Sequence, residues 1–208
     1  MGKKIIIISH SLEVGGAERS LIGLLSSLNP KKVEIDLFLL RHEGELYSQI
    51  PPYVNIIPEV PAYTVLARPM KKTFKEGHYL LTSARLLGKI MAWLYDKRKR
   101  YSDSSVALEY SHKYTWRLMP EIMPEKEYDM AISFLTPHYI GVHKVRAKKR
   151  IAWIHTDYAA CQFVALSLYG KYPPYILQCN NLAYIIPAFF IGCILAVRRS
   201  WQYQEVDR

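Results

Sequence analysis

Cysteine is scarce in this chain: three residues, Cys161, Cys179 and Cys193, stand in the last quarter of 208. An odd number with no metal-ligand spacing neither closes a disulfide framework nor forms a zinc site, so a reducing compartment is the default. Long apolar runs are equally rare. The longest uncharged apolar stretch, residues 182–197, is 16 residues. As a helix it spans roughly 24 Å against ~30 Å of hydrocarbon. Pro187 and Gly192 weaken it, and only with Asn180-Asn181 and Tyr175-Ile176-Leu177 added does it reach across. At the amino end, Ile5 to Ile8 are too few for the apolar core of a secretory signal, and Ser9-His10-Ser11 closes the run. No secretion is expected. Two phosphate loops are also missing. The residue two before Gly16 is Val14, so G-x-G-x-x-G fails, and no G-K-[ST] occurs, which disfavours nicotinamide dehydrogenases and P-loop enzymes.

Acidic residues are in deficit, 18 against 28 Lys and Arg, a net charge of +10. Residues 159–208 carry Lys171, Arg198, Arg199 and Arg208 against Glu205 and Asp207, a net +2, which leaves +8 on the first 158. Such a field favours anionic partners without choosing among them. With 50% apolar and 22% charged residues, the remainder is ordinary for a globular domain, and the length suffices for a real core.

The pattern along residues 1–158 is α/β. Ile5 to Ile8 form a fully apolar β-branched run, as a central parallel strand does. The loop SHSLEVGG follows, then a helix from Ala17 with Leu21, Leu24, Leu25 and Leu28 on one face, stopped by Asn29-Pro30. Residues 33–40 are a second strand, completing a βαβ unit. Val54 to Ile57 make a short third strand in a loop-rich stretch punctuated by Gly44 and several prolines. From about Lys71 to Met119 the period becomes helical. Leu80, Ala84, Leu87, Met91 and Leu94 mark one amphipathic helix, mildly interrupted by Gly88, and Val106, Leu108, Tyr110, Tyr114 and Leu118 a second. Residues 128–135 and 150–155 return to strand. The expected fold is a Rossmann-like doubly wound parallel sheet over residues 1–158, with 159–208 an atypical apolar tail.

The strongest site signal is Gly15-Gly16-Ala17-Glu18 at the junction of the first strand and helix. Paired glycines let the backbone approach a ligand, and the first helical amides with the helix dipole favour an anion. A turn needed only for geometry is the alternative. His138 and His143, five apart after Pro137, do not fit a shared helical face, so no metal is expected. Lys97 to Arg100 beside Trp93, Tyr95 and Tyr101 is either a solvated helix end or a contact for anionic lipid headgroups. No nucleic-acid module accompanies the basic residues.

SHSLEVGGAERSLIGLL, RHEGELYSQIP and IAWIHTDY together resemble the N-terminal domain of family 4 (group 1) glycosyltransferases over residues 3–158. The resemblance implies one half of a GT-B fold, the acceptor-side lobe of a retaining enzyme. Such an enzyme moves a sugar from a nucleotide-sugar co-substrate to a saccharide or lipid-linked acceptor, as in making cell-envelope polysaccharide. No metal or other cofactor is implied. Gly15 and Gly16 would face the donor diphosphate, with Ala17 opening the helix behind them. His155 would stand by the transferring sugar or is a satisfied histidine at a strand end, and Thr156 and Asp157 would orient it, contact acceptor or cap the next helix, the last being preferred. Glu18 either bonds near the loop or favours the first helical turn, and the second reading is preferred.

The family's donor-side glutamate pair and basic residue have no counterpart here, since Glu205 and Asp207 are the only acids after Tyr158. The expectation is a truncated or frame-disrupted chain, with little or no transfer on its own and a separate donor-domain chain as partner. A genuine C-terminal membrane anchor is the competing account of the tail. The alternative function is a non-catalytic, basic, membrane-associated binding module. Either way the expected location is the cytoplasm or the cytoplasmic membrane face, and nucleic acid is not an expected partner.

Overall fold

A computed structural model of the chain describes residues 2–99, 104–134, 138–154 and 175–178. In chain order these form β1 (Lys3–Ser9), α1 (Gly16–Ser27), β2 (Val33–Leu39), a 3-10 turn (Glu45–Gln49) and β3 (Asn55–Ile56). Then come α2 (Pro61–Thr64), α3 (Met70–Lys75), α4 (Tyr79–Lys99), α5 (Ser104–Thr115), β4 (Tyr128–Ser133), α6 (Tyr139–His143), β5 (Ala147–Ile154) and β6 (Tyr175–Gln178). The strands pair in the order β3-β2-β1-β4-β5-β6, and every pair is parallel. That is the Rossmann-like doubly wound order, with its direction of winding reversing between β1 and β4.

The period of two along β1 builds both halves of the core. Ile5 and Ile7 point to one face, where α1 covers them with Leu21, Leu24 and Leu25 beside Leu37 and Leu39 of β2. Ile6 and Ile8 point to the other, under Phe38, Tyr63, Leu81, Tyr128 and Ile140. Ile6 and Ile7 are wholly buried, each worth about 1.5–3 kcal/mol of removal from water. This two-sided burial is why β1 reads as an unbroken apolar run rather than an alternating one.

Three sequence expectations are corrected. The stripe Leu80, Ala84, Leu87, Met91 and Leu94 of α4 does not face the core as a whole: its three leucines are exposed and Ala84 and Met91 half-buried, while Leu81, Gly88 and Ala92 are buried. The second helix is present as α5, and of its expected apolar residues Val106 is buried, together with Glu109, His112 and Thr115, whereas Leu108 is exposed. Both errors share one cause. A Cβ on Gly88 would come within 2.9 Å of the Ser111 backbone and of the Tyr110 carbonyl oxygen. The α5 backbone therefore leaves no room for a side chain at residue 88, and hydropathy does not reveal that contact. Third, Tyr175-Ile176-Leu177 does not extend a helix but forms β6, paired with Ile151 to Trp153 of β5. Residues 182–197 lie outside the described residues. Among the described residues no helix is long and apolar enough to cross a membrane.

Candidate functional site

In an open sheet of this order ligands sit beyond the carboxyl ends of the strands, where the winding reverses. Here that crevice is bounded by the ends of β1 (Ser9) and β4 (Ser133), with the loops that follow them. Gly15, Gly16, Ala17 and Glu18 lie on the β1 side. Gly15 is the N-cap of α1, in extended backbone and without a side-chain cap. The first intrahelical bond runs from Arg19 N to Gly15 O at 3.0 Å, so the amides of Gly16, Ala17 and Glu18 are left over at the helix start. Gly16 is exposed, and nothing lies within 4 Å of where its Cβ would be. Glu18 folds back until its carboxylate lies on Gly15, where a Cβ would overlap Oε2. It occupies the third helical position, from which a carboxylate stabilises the helix start. An incoming anion would compete with it.

Two loops hold the glycine turn in place. Leu12, wholly buried, donates its amide to Glu43 O and accepts the Leu46 amide, both at 3.0 Å, and Arg41 N donates to His10 O at 3.0 Å. SHSLEVGG after β1 and RHEGELYSQIP after β2 are thus one unit, although about 30 residues separate them in the chain. Gly44 makes this contact possible and carries φ +113°.

On the other flank lies a histidine pair that the sequence alone did not single out. His10, just past β1, stacks on His112 of α5 with ring centroids 6.0 Å apart. His112 is buried and its Nδ1 has no hydrogen-bond partner. Burial pushes His10 down to about 4. His112 falls to about 3 through burial first, then the neighbouring His10 and Arg85 charges. Both rings are therefore neutral near pH 7. His138 Nδ1 and Ser133 Oγ share a hydrogen bond at 2.9 Å, the spacing of a base and a nucleophile. Both residues are buried, at 0% and 5% exposure, and the contact ties the start of α6 to the end of β4. His143 turns away to stack on Trp116 at 4.0 Å. Among the described residues no group of three or more His, Cys, Asp or Glu could hold a metal. The rule that ligands sit at strand ends, applied to β1 and β4, would have found His10 and Ser133. His112 gave no signal, because it stands within a helix whose buried face was misread. His155, Thr156 and Asp157 lie outside the described residues, and β5 is described as far as Ile154.

The histidine pair makes stability sensitive to acid. The folded-state values lie below the ordinary 6.5, so below pH 6.5 the unfolded chain binds more protons. Stability present above that point is lost as pH falls toward 4 and 3. For His112 alone the loss by about pH 5 is about 2 kcal/mol. Urea unfolding at neutral pH and near pH 5 should show it, and His112→Leu should remove its share. An unchanged pH dependence in that variant would mean that the ring is already protonated or solvated in the fold.

No protein-family model matches this chain, and no curated protein matches it.

Proposed function

We propose that the chain is the acceptor-side lobe of a retaining glycosyltransferase that uses a nucleotide-sugar donor. The observation that carries this reading is the junction of two segments underlying the resemblance: the glycine turn is braced by Leu12 against Glu43 and Leu46. That bracing aims leftover helix-start amides at the reversal point of the sheet, which is the arrangement needed to meet a diphosphate. The +8 charge of residues 1–158 works in the same direction. Catalysis then consists of placing the reactants and stabilising the departing diphosphate with prepositioned dipoles. Gly15, Gly16 and Ala17 supply the dipoles, and His155, on the resemblance alone, is the group that acts beside the sugar. Cationic groups of a donor lobe complete the site.

The test measures release of nucleoside diphosphate from a panel of nucleotide sugars with saccharide and polyprenyl phosphate acceptors. It compares the chain alone with the chain plus a separately supplied donor lobe. Release is expected only with the second lobe, and His155→Ala should cut it by about 100-fold at unchanged circular dichroism. Absence of release in both arms, or release that His155→Ala leaves untouched, would overturn the reading.

A further inference from the structure

Helix α4 is apolar on two opposite sides. Leu81, Gly88 and Ala92 pack inward. Leu80, Leu86, Leu87, Ile90, Trp93 and Leu94 are exposed, Leu80 at 75% and Trp93 at 58%. At 3.6 residues per turn these six fall within an arc of about 140°, centred opposite the buried line. Phe74 of α3, also exposed, continues the patch through an edge-to-face contact with Tyr79 at 5.0 Å. A contiguous apolar face of this extent on a folded domain marks a surface that something covers.

The charges around the face indicate what covers it. Residues 70–99 hold eight Lys and Arg against two acids, Glu76 and Asp96. Glu76 is paired with Arg68 at 3.4 Å. Lys89 and Arg98 fall on the two edges of the arc. Lys97 stands at its carboxyl end, with Nζ 5.0 Å from the centre of the Trp93 ring. Lys71, Lys72 and Lys75 extend the positive flank along α3. Leucine and isoleucine in the middle, tryptophan and lysine at the border and almost no acid describe a helix lying in a bilayer interface. A second copy of the chain fits worse, because it would bring the same excess of eight Lys and Arg over two acids to both sides of the contact. Nucleic acid fits worse still, since its phosphates would meet leucine at the centre of the patch.

We propose that α4, flanked by α3, docks in the plane of an anionic lipid bilayer, with Leu80, Leu87, Ile90 and Trp93 inserted below the headgroups and Lys89, Lys97 and Arg98 paired with them. This goes beyond sugar transfer and does not rest on it: a chain with no transferase activity would dock equally well. The contact belongs to the folded domain and is separate from residues 182–197.

Vesicle flotation of the full chain tests it. The chain should float with vesicles of phosphatidylcholine and phosphatidylglycerol, float poorly with phosphatidylcholine alone, and lose most of its binding in high salt. Leu87→Glu with Ile90→Glu should weaken partitioning by more than about 100-fold. Lys89→Glu with Lys97→Glu should weaken it by about 30-fold or more. All four positions are on the surface, so circular dichroism and thermal unfolding should match the parent in both variants. Three results would overturn the proposal. One is equal flotation on both lipids. Another is flotation that neither variant weakens, which would assign the contact to residues 182–197. The third is a dimer that Leu87→Glu with Ile90→Glu splits, which would give the face to a second copy.

Discussion

Gly44→Ala should destabilise the domain by roughly 3–5 kcal/mol, among the largest effects of any single methyl group added to this chain. The residue sits at φ +113° and ψ +153°, a conformation essentially confined to glycine. Space is the second obstacle. A Cβ there would lie 2.2 Å from both the carbonyl carbon and oxygen of Leu12 and 2.5 Å from the Glu13 nitrogen. All three are backbone atoms, so no side-chain rotation relieves the overlap. The loops after β1 and β2 would have to separate, breaking the bonds from Leu12 N to Glu43 O and from Leu46 N to Leu12 O. Leu12 and Leu46, both buried, would lose their packing. Urea unfolding measures the loss. Gly23→Ala is the control, because nothing lies within 4 Å of its Cβ position on the exposed side of α1. That change should be neutral or stabilise by up to about 1 kcal/mol. Equal effects from the two substitutions would show that the clamp between the loops does not hold. If the proposed function is right, Gly44→Ala should also abolish diphosphate binding in whatever fraction stays folded, since the glycine turn loses its brace.

Asp36→Ala should cost about 3–5 kcal/mol, by a different route. Asp36 is on β2, 1% exposed and on the same face as Phe38, within the core rather than at the crevice. It accepts hydrogen bonds from Lys126 Nζ at 2.8 Å, Asn55 Nδ2 at 2.9 Å and the buried hydroxyl of Tyr128. One carboxylate thereby joins β2 to β3 and to the segment leading into β4. Burial alone would raise its pKa, but the bonds from Lys126, Tyr128 and Asn55 and the Lys126 charge outweigh it and hold the carboxyl below its ordinary value. Truncation strands the Tyr128 hydroxyl in the core, whereas exposed Asn55 can turn its amide to water and Lys126 keeps Glu34 at 2.6 Å. Asp36→Asn retains an acceptor and should cost less. The sign with pH follows from the direction of the shift. A depressed carboxylate stabilises the fold above its unfolded value of 3.8, and that contribution disappears as pH falls through the folded value. Asp36→Ala should therefore show a flatter stability profile than the parent below about pH 4. If Asp36→Ala matches the parent at neutral pH, the network contributes nothing beyond the hydration it replaces.

The two halves of the pH profile have separate origins. His10 and His112 act between pH 6.5 and about 3, because their folded-state values lie at about 4 and about 3. Asp36 acts lower, because its value starts at 3.8 and falls. Single variants at His112 and Asp36 should thus flatten different stretches of one curve.

Strand character in this chain is local. Ile5 to Ile8 were legible because a strand covered on both faces is apolar throughout, and β2 and β4 because apolar residues dominate around Asp36 and Asp129, a composition visible without any neighbour. The parallel βαβ start and the glycine turn at its first loop were legible for the same reason: α1 packs on the sheet with the leucine stripe that its period displays. What only the tertiary structure decided was which side of a helix faces inward when its partner is another helix. At Gly88 the backbone of α5 comes so close that no side chain fits, so the side carrying Leu81, Gly88 and Ala92 is buried and Leu80, Leu87 and Leu94 are turned outward. The same packing buries His112 against His10, and the fold brings Leu12 onto Gly44. Those contacts join residues far apart in the chain through shape and backbone geometry, which no hydrophobic period encodes.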